Sequence, residues 1–501
     1  MMGTQQAGGR RFRKRYIAFA AIGLVIIWLG WGVYSVMSMK PGAPLDYAGM
    51  VNERYYAFHG VDPDTLSPEE NGWDELSEAM KIVEGVTNAG HARVKPVISG
   101  HAAFDFSALE DQYEWELRDL RAVYNAAVAG VSSIRASKFD SLMTRACEAD
   151  SIVSGPFDGS VNEADMTWPP LARQTIRYLA GDMALALREG ASERYLMDLR
   201  FGLRLSDAFA HRWGALDALT ARGIESRMLG RLRDDILMRR LDAATLEGVI
   251  EELLALRPTD YRYLMAWDYD YTAALMQECY TDDSKGDGRL IISRAIAFSE
   301  QFDISVELTP FILGNDSLLA GLTSGTYAGK AEVLATAGRI MSRAGEQAML
   351  RPFERSERML SWVQAEVGAM PIGMEPLRGL LKWRVTESFV MSGDRHDTQR
   401  AATVTLAAIE LFCLRHGRLP DNLHELMPGC LAVLPIDPYS GRPLKYRVMP
   451  EDTDGPRFFL YSVGMNSKDD GGEFERTEVY AVWSPVPGME SLDYKLPMDM
   501  E

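Results

Sequence analysis

Cysteine and histidine are both scarce in this chain, and each shortage narrows the chemistry. Four cysteines are spread over 501 residues, too few for a disulfide-built scaffold. The seven histidines (His59, His91, His101, His211, His396, His416, His424) are scattered. None forms an HExxH pattern and none stands at zinc spacing from a cysteine. GxSxG elbows, Walker loops and dinucleotide fingerprints are absent too. Positive charge is short: 53 Lys and Arg face 71 Asp and Glu, a net charge of −18. That deficit argues against nucleic acid as a partner, because phosphate binding needs clustered Lys and Arg. It also disfavours docking of the exterior on an anionic lipid surface.

Acidic residues are missing altogether from the first 39 positions. Within that stretch Tyr16 to Met39 carries no charged side chain. A helix of this length spans about 36 Å at about 1.5 Å per residue, enough for a hydrocarbon core of about 30 Å. Arg10, Arg11, Arg13, Lys14 and Arg15 precede it, so residues 1–15 read as a cytoplasmic basic tail and Lys40 onward as exterior. Trp28, Trp31 and Tyr34 lie in the outer half, where aromatic rings favour the headgroup level. A cleaved signal peptide has a shorter apolar region and a small-residue cleavage site. The run at 16–39 is too long and Val36-Met37-Ser38 is a poor site, so it reads as a retained single-pass anchor.

Beyond the anchor, residues 40–106 read as a linker and mixed segment, with Pro41, Pro44 and Gly49 leading out of the membrane. Residues 107–397 read as an irregular helical array. Leu109, Tyr113, Leu117, Leu120 and Val123 recur at helical spacing. The spacing predicts helices from Leu171 to a glycine cap at Gly190, over 191–211 and over 215–240. Asp242 is positioned to cap a further helix ending before Pro258. The stretch Ala184 to Phe209 resembles a tetratricopeptide unit, but no second copy follows at about 34 residues. Beyond residue 400 the character changes to a helix over 401–415, then short β-prone runs at 444–448, 457–463 and 479–483.

Several chemical patterns fail on inspection. Asp283-Ser284-Lys285-Gly286-Asp287-Gly288 hints at an EF-hand, but Lys285 and Arg294 occupy ligand positions. Asp268 and Asp270 flank Tyr269 on a predicted helix, where alternate residues point apart. Trp267, Tyr269 and Tyr271 read as packing. Asp394-Arg395-His396-Asp397 reads as a polar turn between helices.

The C-terminal part is more specific. Ala407-Ala408-Ile409-Glu410-Leu411-Phe412, His416-Gly417-Arg418-Leu419-Pro420 and Leu423-His424-Glu425-Leu426 stand in order. They are followed by Leu434-Pro435-Ile436-Asp437-Pro438-Tyr439, Gly441-Arg442-Pro443-Leu444-Lys445-Tyr446 and Phe459-Leu460-Tyr461-Ser462-Val463-Gly464. In this order and spacing the segment 398–484 resembles the globular domain of the type II secretion major pseudopilin, with residues 485–501 as a tail. The whole chain also looks like uncharacterised bacterial membrane-anchored proteins. Read without the family, Gly417 and Pro420 end a helix, and Asp437 stabilises a turn. Cys413 and Cys430 share the module, where either a disulfide or two separate thiols fits.

The resemblance implies a calcium loop, with Asn466, Asp469 and Asp470 as the oxygen ligands; a solvated acidic turn is the alternative. Asn466 stands where that family usually has aspartate, and Glu478-Val479 replaces a closing Asp-Ile. The anchor lacks the glutamate of a pilin processing site, and a long array separates it from the module. Pilus assembly is therefore not implied, since fold does not carry function. The fold class expected is mainly α: one transmembrane helix, a helical array and a small α+β module. The function expected is a membrane-tethered, periplasm-facing scaffold of the bacterial inner membrane with an envelope protein partner. The alternative is an envelope enzyme, such as a hydrolase, with a pocket in the helical region.

Overall fold

The computed structural model describes residues 42–62, 70–89, 128–159, 167–281, 288–291, 294–295, 327–355, 359–371, 374, 377–378, 381, 387–449, 457–464, 467–469 and 471. The anchor at 16–39, the helical pattern at 109–123, the strand at 479–483, Asn466 and Asp470 lie outside these residues. The described chain is mainly helical with a small two-stranded sheet. Among the described residues no helix is long and apolar enough to cross a membrane. The chain divides into two units: one holds residues 48–267, 345–357 and 387–501, the other 1–47, 268–344 and 358–386.

The larger unit takes up α1 (Tyr47–His59) from its second residue and continues with α2 (Trp73–Ala89). Both lie in the stretch read as a linker and mixed segment. Tyr47, Val51 and Tyr55 recur every fourth residue and are buried, as are Leu76, Met80 and Val83, so each helix has an apolar stripe. Nearby prolines obscured these short patterns in the sequence. Then come α3 (Phe139–Glu148), α4 (Trp168–Glu189), α5 (Ser192–Ala210), α6 (Ala215–Leu237) and α7 (Ala243–Leu254). Pro169 and Pro170 open α4, where their missing N–H groups cost nothing. Gly190 closes it at φ 68°, and Ala191 N donates to Ala186 O at 2.8 Å. This left-handed exit is open to glycine without steric cost. It folds α4 and α5 into a helical hairpin, and α6 packs on both. The cap on α7 is as expected: Thr245 N donates to Asp242 Oδ1 at 2.7 Å, and these hydrogen bonds hold the Asp242 carboxyl below its usual range.

A buried ion network ties the early helices together. Arg135 reaches Asp182 on α4 and Asp198 on α5, and donates to Asp140 on α3 at 2.6 Å. Asp182 and Asp198 are fully buried, and burial pushes both carboxyls up, with Arg135 pulling against it. Removing the arginine would strand two charges in the interior.

After α8 (Tyr261–Cys279) and α9 (Lys330–Met349), a short 3-10 turn (Pro352–Glu354) returns to the larger unit. The smaller unit also holds α10 (Met359–Ala369). Within it Gln277 Nε2 donates to Ala43 O and Lys330 Nζ to Gln277 Oε1, both at 2.8 Å. Arg343 lies over the Trp362 ring, 4.2 Å from its centroid.

The last α-helix among the described residues, α11, runs without interruption from Glu387 to His416. It therefore crosses position 397/398, where the array was expected to give way to the C-terminal module. Residues 402–413 are buried on every side. They pack on α7 and α6 and reach the 3-10 turn Leu423–Leu426 and strand β2 (Phe458–Tyr461), which pairs antiparallel with β1 (Lys445–Val448). Val404, Ala408, Leu411, Leu246, Val249, Leu426 and Leu460 all belong to one buried cluster. Asp437 sits at its edge, fully buried. It accepts from Ser462 Oγ at 2.8 Å and Tyr439 N at 3.0 Å, the turn-stabilising role expected of it. All four cysteines are free thiols, so Cys413 and Cys430 do not pair.

Candidate functional site

Helical spacing puts Gly393, His396, Asp397 and Arg400 on one face of α11. The expected turn at 394–397 is instead the interior of this helix, because Val390, Thr398 and Ala402 are buried along it and keep it docked. Facing it are Arg222 and Glu225, one turn apart on α6. Arg400 clamps Glu225 with two bonds, Nε to Oε1 at 2.8 Å and Nη2 to Oε2 at 3.0 Å. The planar guanidinium fork matches a carboxylate in this way. Glu225 Oε2 also lies 3.6 Å from His396 Nε2. His396 is 6% exposed, and its Nε2 has no hydrogen-bond partner among the described residues. Burial pushes the imidazole down, with Glu225 pulling it up, so His396 is neutral at pH 7.

Asp397 is the distinctive member. Its side chain is exposed, and no hydrogen bond or ion pair holds it among the described residues. The dense protein around it nonetheless weakens its hydration and pushes its carboxyl up to about 6, with Arg400 opposing and Glu225 and Asp394 adding to the rise. The result is a carboxyl that exchanges protons with solvent near neutral pH.

Two further contacts fix this face. Arg222 Nη2 donates to Tyr261 Oη at 2.6 Å, and burial pushes the phenol up to about 12. That hydroxyl lies against Gly393, where an added Cβ would sit 1.6 Å from it. Arg355 binds Asp394 through Nη1 at 2.6 Å and Nη2 at 2.8 Å. Its Nε also donates to Leu350 O and Gln347 O, both at 3.0 Å, satisfying carbonyls at the end of α9. Three guanidiniums thus face three carboxylates, and Asp397 alone is left unpaired. The arrangement leaves Asp397 as a carboxyl open to proton exchange with solvent, while the His396 imidazole is buried against Glu225.

Other residues singled out in the sequence sit elsewhere. Asp268 and Asp270 are both buried on α8. Trp267 packs on Gly214 and Tyr269 on Gly338, and Tyr271 meets Tyr47 edge-on at 6.0 Å, consistent with packing. Of the calcium-loop residues, only Asp469 is described. It accepts from Tyr461 Oη at 2.9 Å and pairs with Lys445 Nζ at 2.9 Å, and these partners hold its carboxyl below the usual range. Among the described residues no group of three His, Cys, Asp or Glu could hold a metal ion. Sequence reasoning missed Arg222, Glu225, Tyr261, Arg355 and Arg400; for Arg222, Glu225 and Arg400 the available signal was charge at helical spacing along 215–237 and 387–416. The chain matches no family model, no curated protein and no solved structure.

Proposed function

We propose that the chain is a membrane-tethered, periplasm-facing scaffold of the bacterial inner membrane that engages an envelope protein partner. The carrying observation is the uncharged run Tyr16–Met39 behind a basic cluster, with an acidic chain beyond it. The charge bias sets orientation and the run's length permits a span. The orientation is tested in intact cells with a thiol reagent that cannot cross membranes. It should label a cysteine introduced at Lys40 and miss one at Gly9; the reverse pattern overturns the topology. Capture of one specific envelope protein by the full chain, solubilised from its own membrane, supports the scaffold role.

The Asp397 face favours a second reading: an envelope enzyme, such as a hydrolase, with its site in the helical region. A solvent-exposed carboxyl pushed up to about 6 is the kind of acid–base group such a site needs. Asp397→Asn would then abolish turnover of a hydrolysable substrate while leaving partner capture intact.

The pseudopilin-like reading of 398–484 carries a calcium loop with it. Asp469, already paired with Lys445, would have to exchange that partner for the ion. Millimolar Ca²⁺ should raise the melting temperature of the full chain, as any ligand selective for the folded state does. An unchanged midpoint removes the calcium site.

A further inference from the structure

We propose that α1 and the turn leading into α2 form a groove for an extended, uncharged polypeptide segment of a partner protein, and that residues 151–157 occupy it as the chain's own stand-in. The proposal takes its partner from the scaffold reading and its geometry from the larger unit alone. The segment Ser151-Ile152-Val153-Ser154-Gly155-Pro156-Phe157 is held by its main chain. Ser151 N donates to Glu70 O at 3.3 Å and Gly72 N to Ser151 O at 2.9 Å, the start of a parallel ladder. The Asn71 side chain carries the ladder on. Its Nδ2 donates to Val153 O at 2.8 Å, and its Oδ1 accepts from Val153 N at 2.9 Å. The same Oδ1 accepts from Trp73 N at 3.2 Å, which fixes the amide at the start of α2. Asn52 of α1 repeats the clamp on Phe157, with Nδ2 to Phe157 O at 2.8 Å and Phe157 N to Oδ1 at 2.7 Å. Between the two clamps Tyr55 Oη, one turn from Asn52, accepts from Ser154 N at 2.8 Å.

A carboxamide presents a donor and an acceptor side by side, so it satisfies both backbone groups of one residue as a neighbouring strand does. Such groups read any extended chain, and side-chain pockets supply the choice among sequences. Here Ile152, Val153 and Phe157 are buried, and the Phe157 ring meets Trp213 edge-on at 5.3 Å. Gly155 and Pro156 are exposed. No side chain in 151–157 is charged. The groove therefore selects an uncharged segment with two adjacent apolar residues and an aromatic four residues after the second. Because the resident segment competes, a partner binds only the fraction of molecules whose segment has left, and its apparent affinity falls by that fraction.

The test uses the purified full chain in neutral detergent and a fluorescent peptide with the sequence of residues 149–159. Phe157→Ala removes the resident's anchor, so this variant should bind the peptide on the order of tenfold more tightly than the wild type. Adding Asn52→Ala should cancel most of the gain, and so should N-methylation of the peptide at its valine and phenylalanine amides. In the wild type, excess unlabelled peptide should speed hydrogen exchange at Val153, Ser154 and Phe157, whose amides lose their partners. Three results overturn the proposal: no gain in a folded Phe157→Ala, a gain that the methylated peptide retains, or wild-type exchange that excess peptide leaves unchanged. Excess peptide should also release the envelope protein captured by the full chain. Capture that the peptide does not reduce overturns the proposal and leaves the scaffold reading standing. Capture of nothing removes the scaffold reading, and the peptide titration alone then decides the groove.

Discussion

Replacing Asp397 by asparagine removes a carboxylate the fold holds in an unfavourable setting. Its carboxyl stands at about 6 in the folded chain against an ordinary 3.8. The folded state therefore binds this proton more tightly than the unfolded state does. The stability it contributes is fully present below the ordinary value and is lost as pH rises through about 6. Unscreened, so large a rise would correspond to about 3 kcal/mol. Asp397 is exposed, so solvent screening reduces the expected effect to about 1 kcal/mol. His396 acts in the opposite sense: burial depresses it, so protonating it below its ordinary 6.5 destabilises the fold, but this is common to both proteins and cancels in their difference. Arg400, Glu225, Asp394 and Arg222 face the site in both as well. Urea denaturation at pH 7.5 should find Asp397→Asn more stable by about 1 kcal/mol. The gap should close by pH 4. A gap that does not change with pH, or a less stable variant at pH 7.5, would refute the reasoning, because neither can come from losing a strained negative charge.

Arg355→Ala should cost about 3–5 kcal/mol in urea denaturation, since it strands the buried Asp394. Adding Asp394→Ala to it should recover part of the loss. Gly393→Ala drives a methyl into the Tyr261 hydroxyl and should cost about 1–3 kcal/mol; in a Tyr261→Phe background the cost should shrink, which a double-mutant cycle measures. Asp242→Ala removes the N-cap of α7 and should lower stability by about 1 kcal/mol, with no dependence on the state of the Asp397 face.

The parts of this fold that were legible in sequence are those fixed by neighbours along the chain. Gly190 and Asp242 announce a helix end and a helix start because their chemistry acts within a few residues. Asp437 reads as a turn residue for the same reason. The candidate site is different in kind. Glu225 and Arg400 meet across 175 positions, Arg355 and Asp394 across 39. No local pattern reports such distances. The polar run Asp394–Asp397 looked like a turn because polarity within a few residues is the usual mark of one. Here the polarity faces other charges across a helix seam, which a linear reading does not distinguish from facing water.

The same point explains why the chain seemed to change character near position 398. Helix α11 has an ion-paired segment up to Arg400 and an all-round buried segment from Ala402 to Cys413. The composition shift thus records a change in what surrounds one helix, without any break in it. This has a direct test. If residues 398 onward fold independently of what precedes them, two glycines inserted between Asp397 and Thr398 act as a linker and leave the melting transition unchanged. In a continuous helix each added residue rotates the C-terminal portion by about 100°. Two would swing Val404, Ala408 and Leu411 away from Leu246 and Val249, while Arg400 loses Glu225. Each glycine also costs about 1 kcal/mol within a helix, and the stranded Glu225 costs more. The insertion should therefore lower the melting temperature of the whole larger unit in one cooperative step. Two separate transitions, with the C-terminal one at its original temperature, would instead show that the residues beyond 397 hold their own core.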